Sequence, residues 1–173
     1  MRILTVRQPW AWAIIHGGKD VENRTTNIAG GYRGPVAIHA GLRYDERTDL
    51  GRWPFHAAMG NAIENAGGEV HGGVFTWNLG QPDPRRWLHE LGSIIGVVDL
   101  AAVHSVDQVG CMAAIPDCSP WADKIPGTHH LVLANPRPLA EPIPYKGALG
   151  LRHLAVNDPA TTARILAQIG TTA

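Results

Sequence analysis

The chain has 173 residues, with 15 Lys and Arg against 15 Asp and Glu and no formal net charge at pH 7; that balance excludes a protein that grips long nucleic acid by bulk electrostatics. A hydrophobic content of 45% beside 17% charged residues excludes extensive disorder, and the length suits one self-sufficient core better than two. No apolar run approaches the ~20 residues that span a bilayer, and two cysteines without a charged leader predict a cytoplasmic protein with reduced thiols and no membrane partner.

The charge is mildly asymmetric: residues 1 to 52 hold eight basic side chains against five acidic ones. Twelve of the fifteen cations are Arg, the side chain suited to bidentate phosphate contacts and to stacking on bases.

In chain order, ILTV reads as a first strand. Pro9 then suits the opening turn of a helix, where its missing N–H is harmless. Trp10 to His16 form that helix, with Trp10 and Ile14 four apart on one face and Gly17 and Gly18 as its left-handed stop. Barely two turns long, it needs tertiary packing to persist. DVENRTT has strand-compatible alternation, and YRGPVAIHAG is a stronger strand after the turn signal AGG. An acidic cap and an apolar pattern predict a helix from about His56 to Asn65, although Pro54 and Gly60 interrupt the pattern.

Residues 67 to 85, rich in Gly and Pro with little periodicity, read as a mobile surface loop, either a plain excursion or a binding flap. SIIGVVDLAAV is a continuous Ile- and Val-rich run that predicts a buried strand, and HHLVLA and LGLRHLAV add further strands. Between them, ANPRPLAEPIPYKG carries four prolines whose spacing forbids a helix and a central strand, so it reads as an extended, ordered connector. From Asp158 onward, DPATTARILAQIG predicts a capped helix, a tail over 158 to 173 on a single domain spanning 1 to 157. At least five short strands and two or three short helices that do not alternate predict an α+β fold, a small mixed β-barrel of five to six strands.

The chemistry concentrates just past the predicted helix, in Lys19, Glu22 and Arg24. An ammonium and a guanidinium attract phosphate or a base carbonyl, a carboxylate accepts from an exocyclic amine such as cytosine N4, and an aromatic ring offers a stacking surface. The same three charges also fit a solvated ion cluster bracing a turn, and Trp10 and Trp12 also fit core packing. Arg7 and Gln8 either reach the site or cap the helix. His39 is a site residue or a hydrogen-bonded structural histidine, and Lys146, beside Gly147, is a second cation for the site or a plain surface lysine. Cys111, Cys118, His129 and His130, with His104 nearby, contain zinc-type ligands, but the cysteine spacing of seven departs from the usual two to four, so no metal is expected. Nothing matches a phosphate loop, a nucleophile elbow or a dinucleotide fingerprint, and no cofactor is expected.

Together, LTVRQPWAWAIIHGGKDVENR, YRGPVAIHA, IIGVVDL and NPRPLAEPIPYKGALGL resemble the ASCH domain, a group related to the PUA fold, over about residues 3 to 154. The resemblance implies a PUA-like pseudo-barrel with a cleft between the barrel and the helix after the first strand, suited to an RNA segment or a nucleoside. Lys19, Glu22 and Arg24 would line it, with Arg7, Gln8, Trp10, His39 and Lys146 as further ligand-binding candidates. Some relatives in that superfamily remove the acetyl group from N4-acetylcytidine with a lysine, a threonine three residues later and a distant glutamate. Lys19 matches the lysine, but the threonine position holds Glu22, and Thr25 and Thr26 lie just beyond. Lys19 and Glu22 would then be catalytic with the acid as base and water as nucleophile, provided burial lowers the lysine pKa well below about 10.4. The leading expectation is recognition of a nucleoside, a nucleotide or a short single-stranded RNA. A small amidohydrolase acting on N4-acetylcytidine-like amides comes second, and a protein-interaction adaptor using residues 67 to 85 third.

Overall fold

The computed structural model describes residues 1–46, 55–72, 74–76, 83, 85–106 and 118–170. Its elements are β1 (Arg2–Gln8), α1 (Trp10–His16), β2 (Val21–Arg24), β3 (Gly34–Tyr44), α2 (Phe55–Asn65), β4 (Glu69–His71), β5 (Val74–Thr76), β6 (Ser93–Ser105), β7 (His129–Pro144), β8 (Leu151–Arg152), α3 (Leu154–Asn157) and α4 (Pro159–Ile169). Six strands make one mixed sheet in the order β2-β7-β6-β3-β1-β8, in which β1 and β3 run parallel and the other pairs antiparallel.

The apolar runs are continuous because the central strands are covered on both faces. Successive side chains point to opposite faces, so Leu4, Val36, Ile38 and Val98 join one core cluster together with Ala11, Ile14 and Ile15 of α1. Their chain neighbours Ile3, Ala37 and Val97 join a second cluster with Leu154 of α3 and Ile165 of α4. The predicted tail therefore docks as part of the core: Ile165 is fully buried, and Gln168 Oε1 accepts the Glu141 N–H at 2.9 Å. Asp158 caps α4 as its sequence predicts, its carboxylate accepting the Thr161 N–H at 2.9 Å.

A third cluster joins α1 to α2 through Trp12, Phe55, Met59 and Ile63. Trp12 is fully buried, with its ring centroid 5.6 Å from that of Phe55. This contact supplies the packing that a seven-residue helix needs. Ile15 of α1 lies so close to β6 that a Cβ at Gly96 would sit 2.6 Å from Ile15 Cδ1, which accounts for the glycine inside IIGVV.

Four expectations are corrected. The sheet is α+β but does not close into a barrel: β2 pairs with β7 and β8 with β1, and these short strands leave two edges. The proline-rich connector is not a separate segment but the second half of β7, paired with β6 as far as Pro144. Beyond Val132 that strand has no β2 residue opposite it, so a proline's missing N–H can face an open edge, and register shifts absorb the rest. LGLRHLAV forms a strand for two residues before α3 takes over. Within residues 67 to 85, the described part contains the hairpin β4–β5, with Val70 opposite Phe75. No helix among the described residues is long and apolar enough to cross a membrane.

His16, at the end of α1, stacks on Trp12 with centroids 6.0 Å apart, and its buried Nε2 has no partner among the described residues. Burial disfavours the imidazolium and brings the pKa down to about 4 from 6.5. Below pH 6.5 the unfolded chain therefore takes up a proton that the folded chain refuses, so stability falls as the pH drops towards 4. The loss from His16 reaches about 3 kcal/mol, at 1.36 kcal/mol per unit. Burial shifts His39 and His104 in the same direction. Urea unfolding across this window should show a shallower acid loss for His16→Leu than for the parent; an identical slope would contradict this reading.

Candidate functional site

α1 ends at Gly17 and Gly18, the latter at φ +72, and the Lys19 N–H returns to the Ala13 carbonyl at 2.9 Å. This turn brings Lys19 to the start of β2, at the edge of the sheet. Glu22 and Arg24, two apart on that strand, share one face. The Lys19 ammonium stands 3.1 Å from Glu22 Oε2 and also donates to the Val21 carbonyl. Arg24 Nη2 lies 3.0 Å from Glu22 Oε1 and 3.1 Å from the Thr5 carbonyl. Each carboxylate oxygen thus faces its own cation. Lys19 is 5% exposed and Glu22 8%, whereas the Arg24 side chain keeps 28%, so the cluster meets solvent mainly on its Arg24 side.

The triad borders a cleft of about 990 Å³ between the β1–β3 region, β2, and the segments at 120–123 and 145–150. Trp10 and Trp121 form an aromatic wall, edge to face at 6.2 Å, with the Lys19 ammonium 6.0 Å from the Trp121 ring centroid. Trp10 is not a fully buried core residue: it is half-buried, lines the cleft, and donates its indole N–H to Asp45 Oδ2 at 3.1 Å. Asn23 clasps the opposite segment, its Nδ2 donating to the Trp121 carbonyl at 2.8 Å and its Oδ1 accepting the Asp123 N–H at 3.1 Å. Ser119 ties the same segment to Asp20 and accepts the Trp121 N–H.

His39 lines the cleft while nearly fully buried. Its Nε2–H donates to the Tyr145 carbonyl at 2.9 Å, and its Nδ1 has no partner among the described residues. Burial holds its pKa below the usual imidazole range, with the carbonyls of Tyr145 and Gly92 opposing the shift. The 145–148 segment crosses this ring so closely that a Cβ at Gly147 would lie 2.5 Å from His39 Cε1, which requires glycine after Lys146. Lys146 and Arg7 line the cleft from exposed positions.

Of the two roles open to Gln8, the structure gives it the helix cap and not the ligand site. It is fully buried and does not line the cleft; its Nε2 donates to the carbonyls of Trp87 and Glu90, and its Oε1 accepts the Trp12 N–H at 3.0 Å. It fastens the start of α1 and has no amide group left for a ligand. Thr25 and Thr26 are exposed and line no part of the cleft, so neither supplies the missing hydroxyl; the threonine that does line it is Thr5, whose Oγ1 accepts the Ala148 N–H at 3.2 Å.

Trp121, Asp123, Asp45 and Asn23 also line the cleft without having been singled out for it from sequence. Trp121 sits in an irregular stretch with no periodicity, and a hydrogen bond from residue 23 across nearly a hundred positions leaves no local signal. Of the zinc-type ligands, His104, Cys118 and His130 converge, whereas His129 does not join them and Cys111 lies outside the described residues.

Compared with models of known protein families and with curated proteins, the chain matches none.

Truncating Lys19 would leave the Glu22 carboxylate buried with one of its two cations. Lys19→Ala is expected to lower stability by about 1–3 kcal/mol, whereas Arg7→Ala and Lys146→Ala, at exposed positions, should stay within about 0.5 kcal/mol. Chemical denaturation of the three variants checks this, and a Lys19→Ala chain as stable as the parent would contradict the buried pairing of Lys19 with Glu22.

Proposed function

We propose that the cleft binds a nucleoside or nucleotide, free or as part of a short single-stranded RNA, and that the chain is an intracellular, ASCH-type, PUA-related domain. The observation that carries this reading is the buried Lys19–Glu22 pair, with the half-buried Arg24 on its other side, beside the Trp10–Trp121 wall. A buried ion pair is weak support for stability, because desolvation offsets much of its attraction. A ligand supplies a reason to keep one. Each Glu22 oxygen retains a second lone pair able to accept from an exocyclic amine. The ammonium and guanidinium suit a base carbonyl, and an indole face suits stacking.

The charges lining the cleft narrow the ligand further. Arg7, Lys19, Arg24 and Lys146 stand against Glu22, Asp45 and Asp123, four cations to three carboxylates. This slight positive excess fits a neutral or singly phosphorylated ligand better than a long polyanion, as does the neutral chain. Leu42 and Leu149, 78% and 91% exposed, add an apolar rim. The volume falls within the range of small-molecule sites. The cleft beside the helix after the first strand also agrees with what the ASCH resemblance implies.

The second reading, hydrolysis of an N4-acylated cytidine, is favoured by the 3.1 Å contact between the Lys19 amine and the Glu22 carboxylate. In that case the Glu22 carboxylate would take a proton from the water that attacks the amide carbonyl, and a proton would pass to N4 as the acyl C–N bond breaks, releasing acetate and cytidine.

A time course of NMR spectra with N4-acetylcytidine, alongside titrations with cytidine and uridine, separates the readings. Binding predicts saturable shifts of the Trp10 and Trp121 indole signals, and an affinity for cytidine over uridine of about 10-fold or more, from the contact between Glu22 and the exocyclic amine. Release of free acetate that disappears in Glu22→Gln would make the protein a hydrolase. Absence of any shift with all three nucleosides would overturn the proposal.

A further inference from the structure

His104 on β6 and His130 on β7 are directly opposed across the two strands, so their side chains rise from the same face of the sheet. Cys118 meets them from the segment that precedes Trp121. Cys118 Sγ is 3.0 Å from His104 Nε2 and 3.7 Å from His130 Nδ1, and the two nitrogens are 3.3 Å apart. A tetrahedral zinc ion with bonds of about 2.0–2.1 Å to nitrogen and about 2.3 Å to sulfur needs edges of about 3.4 Å between nitrogens and about 3.5 Å between nitrogen and sulfur. The nitrogen–nitrogen edge matches, and the two sulfur edges fall on either side of the required length.

The surroundings of His130 prepare it as a ligand. Its Nε2 lies 2.8 Å from the Asp123 carbonyl, which can only accept, so Nε2 carries a proton and Nδ1 is the nitrogen that faces the cluster. Metal-binding histidines are commonly oriented in this way, through a hydrogen bond from the other ring nitrogen. His130 is 1% exposed, while His104 and Cys118 are half-buried. A thiolate with two imidazoles is a donor set suited to zinc.

We propose that His104, Cys118 and His130 bind one zinc ion, and that the ion clamps the segment carrying Trp121 against the β6–β7 edge. The cysteine thiol gives up its proton on binding, and, no fourth ligand joining them among the described residues, the fourth tetrahedral position takes water or another donor. His130 pairs with Asn23 across β7 and β2, and both hold the same segment, His130 through the Asp123 carbonyl and Asn23 through Trp121 and Asp123. Zinc would therefore hold one wall of the cleft from behind. This assignment goes beyond the nucleoside reading and does not depend on it.

The test is titration of the purified, chelator-treated full chain with Zn²⁺ and with Co²⁺, followed by X-ray absorption at the zinc edge. The expected results are one ion per chain, a thiolate-to-cobalt charge-transfer band, and a sulfur shell at about 2.3 Å. Cys118→Ser should abolish the charge-transfer band and weaken zinc binding roughly 100-fold or more, beyond what loss of an outer-shell partner costs. The Trp121 indole signal should move on zinc removal in the parent and not in the variant. Binding far below one ion per chain, a zinc shell of nitrogen and oxygen alone, or unchanged affinity in Cys118→Ser would each overturn the proposal. The first two are read on the parent chain, so they stand even if the variant folds poorly.

Discussion

The Glu22 carboxylate, held below the surface between the Lys19 ammonium and the Arg24 guanidinium, is the constraint around which the cleft is organised. Removing a carboxylate from water is costly, and the loss is recovered only when both oxygens find well-placed donors. The fold provides them from two directions. The glycine stop of α1 delivers Lys19 from one side, and the alternation of β2 places Arg24 on the other, braced by the Thr5 carbonyl of β1. If α1 moved relative to β2, one cation would leave its oxygen.

That requirement gives the short helix its importance. Seven residues do not make a stable helix alone, yet α1 is gripped by Trp12 against α2, by Ile15 against Gly96, and by the Gln8 side chain at its start. The two-faced sheet then serves as the rigid body on which the cleft is mounted, with α3 and α4 covering the face away from α1. The wall bearing Trp121 is irregular backbone and depends on side-chain clasps from Asn23 and Ser119 for its position. A zinc ion at His104, Cys118 and His130 would add the kind of fixed point that hydrogen bonds to a loop do not provide.

Much of the sheet was legible in the sequence because burial on both faces writes long Ile and Val runs, as in SIIGVV, and because Pro9 and Gly17 mark the limits of α1. The connector is not legible as a strand, because proline argues against a central strand, whereas β7 is central in only its first residues and one-sided where the prolines fall. Strand number points to barrel closure, but closure depends on edge pairing, and β2 and β8 are too short to supply it. In the site, Lys19, Glu22 and Arg24 were visible as a local motif. For Gln8 the sequence leaves the cleft and the helix cap equally open, because residue type does not say whether an amide turns to backbone or to ligand. Trp121 and the three zinc-type ligands come together only through tertiary structure, and the spacing between the cysteines was a poor guide because the convergent set is one cysteine with two histidines from paired strands.

The central claim is that the buried charge pair serves a ligand and not the stability of the fold. It is tested most directly by replacing Lys19 with Met, Glu22 with Leu and Arg24 with Met together, so that no charge is left without its partner, then measuring the urea midpoint and cytidine affinity on the same preparation. The account predicts a midpoint equal to or above that of the parent, because well-packed apolar side chains substitute for a buried ion pair without loss, together with loss of cytidine binding. A chain that binds cytidine as the parent does, or one that loses several kcal/mol of stability, would contradict it.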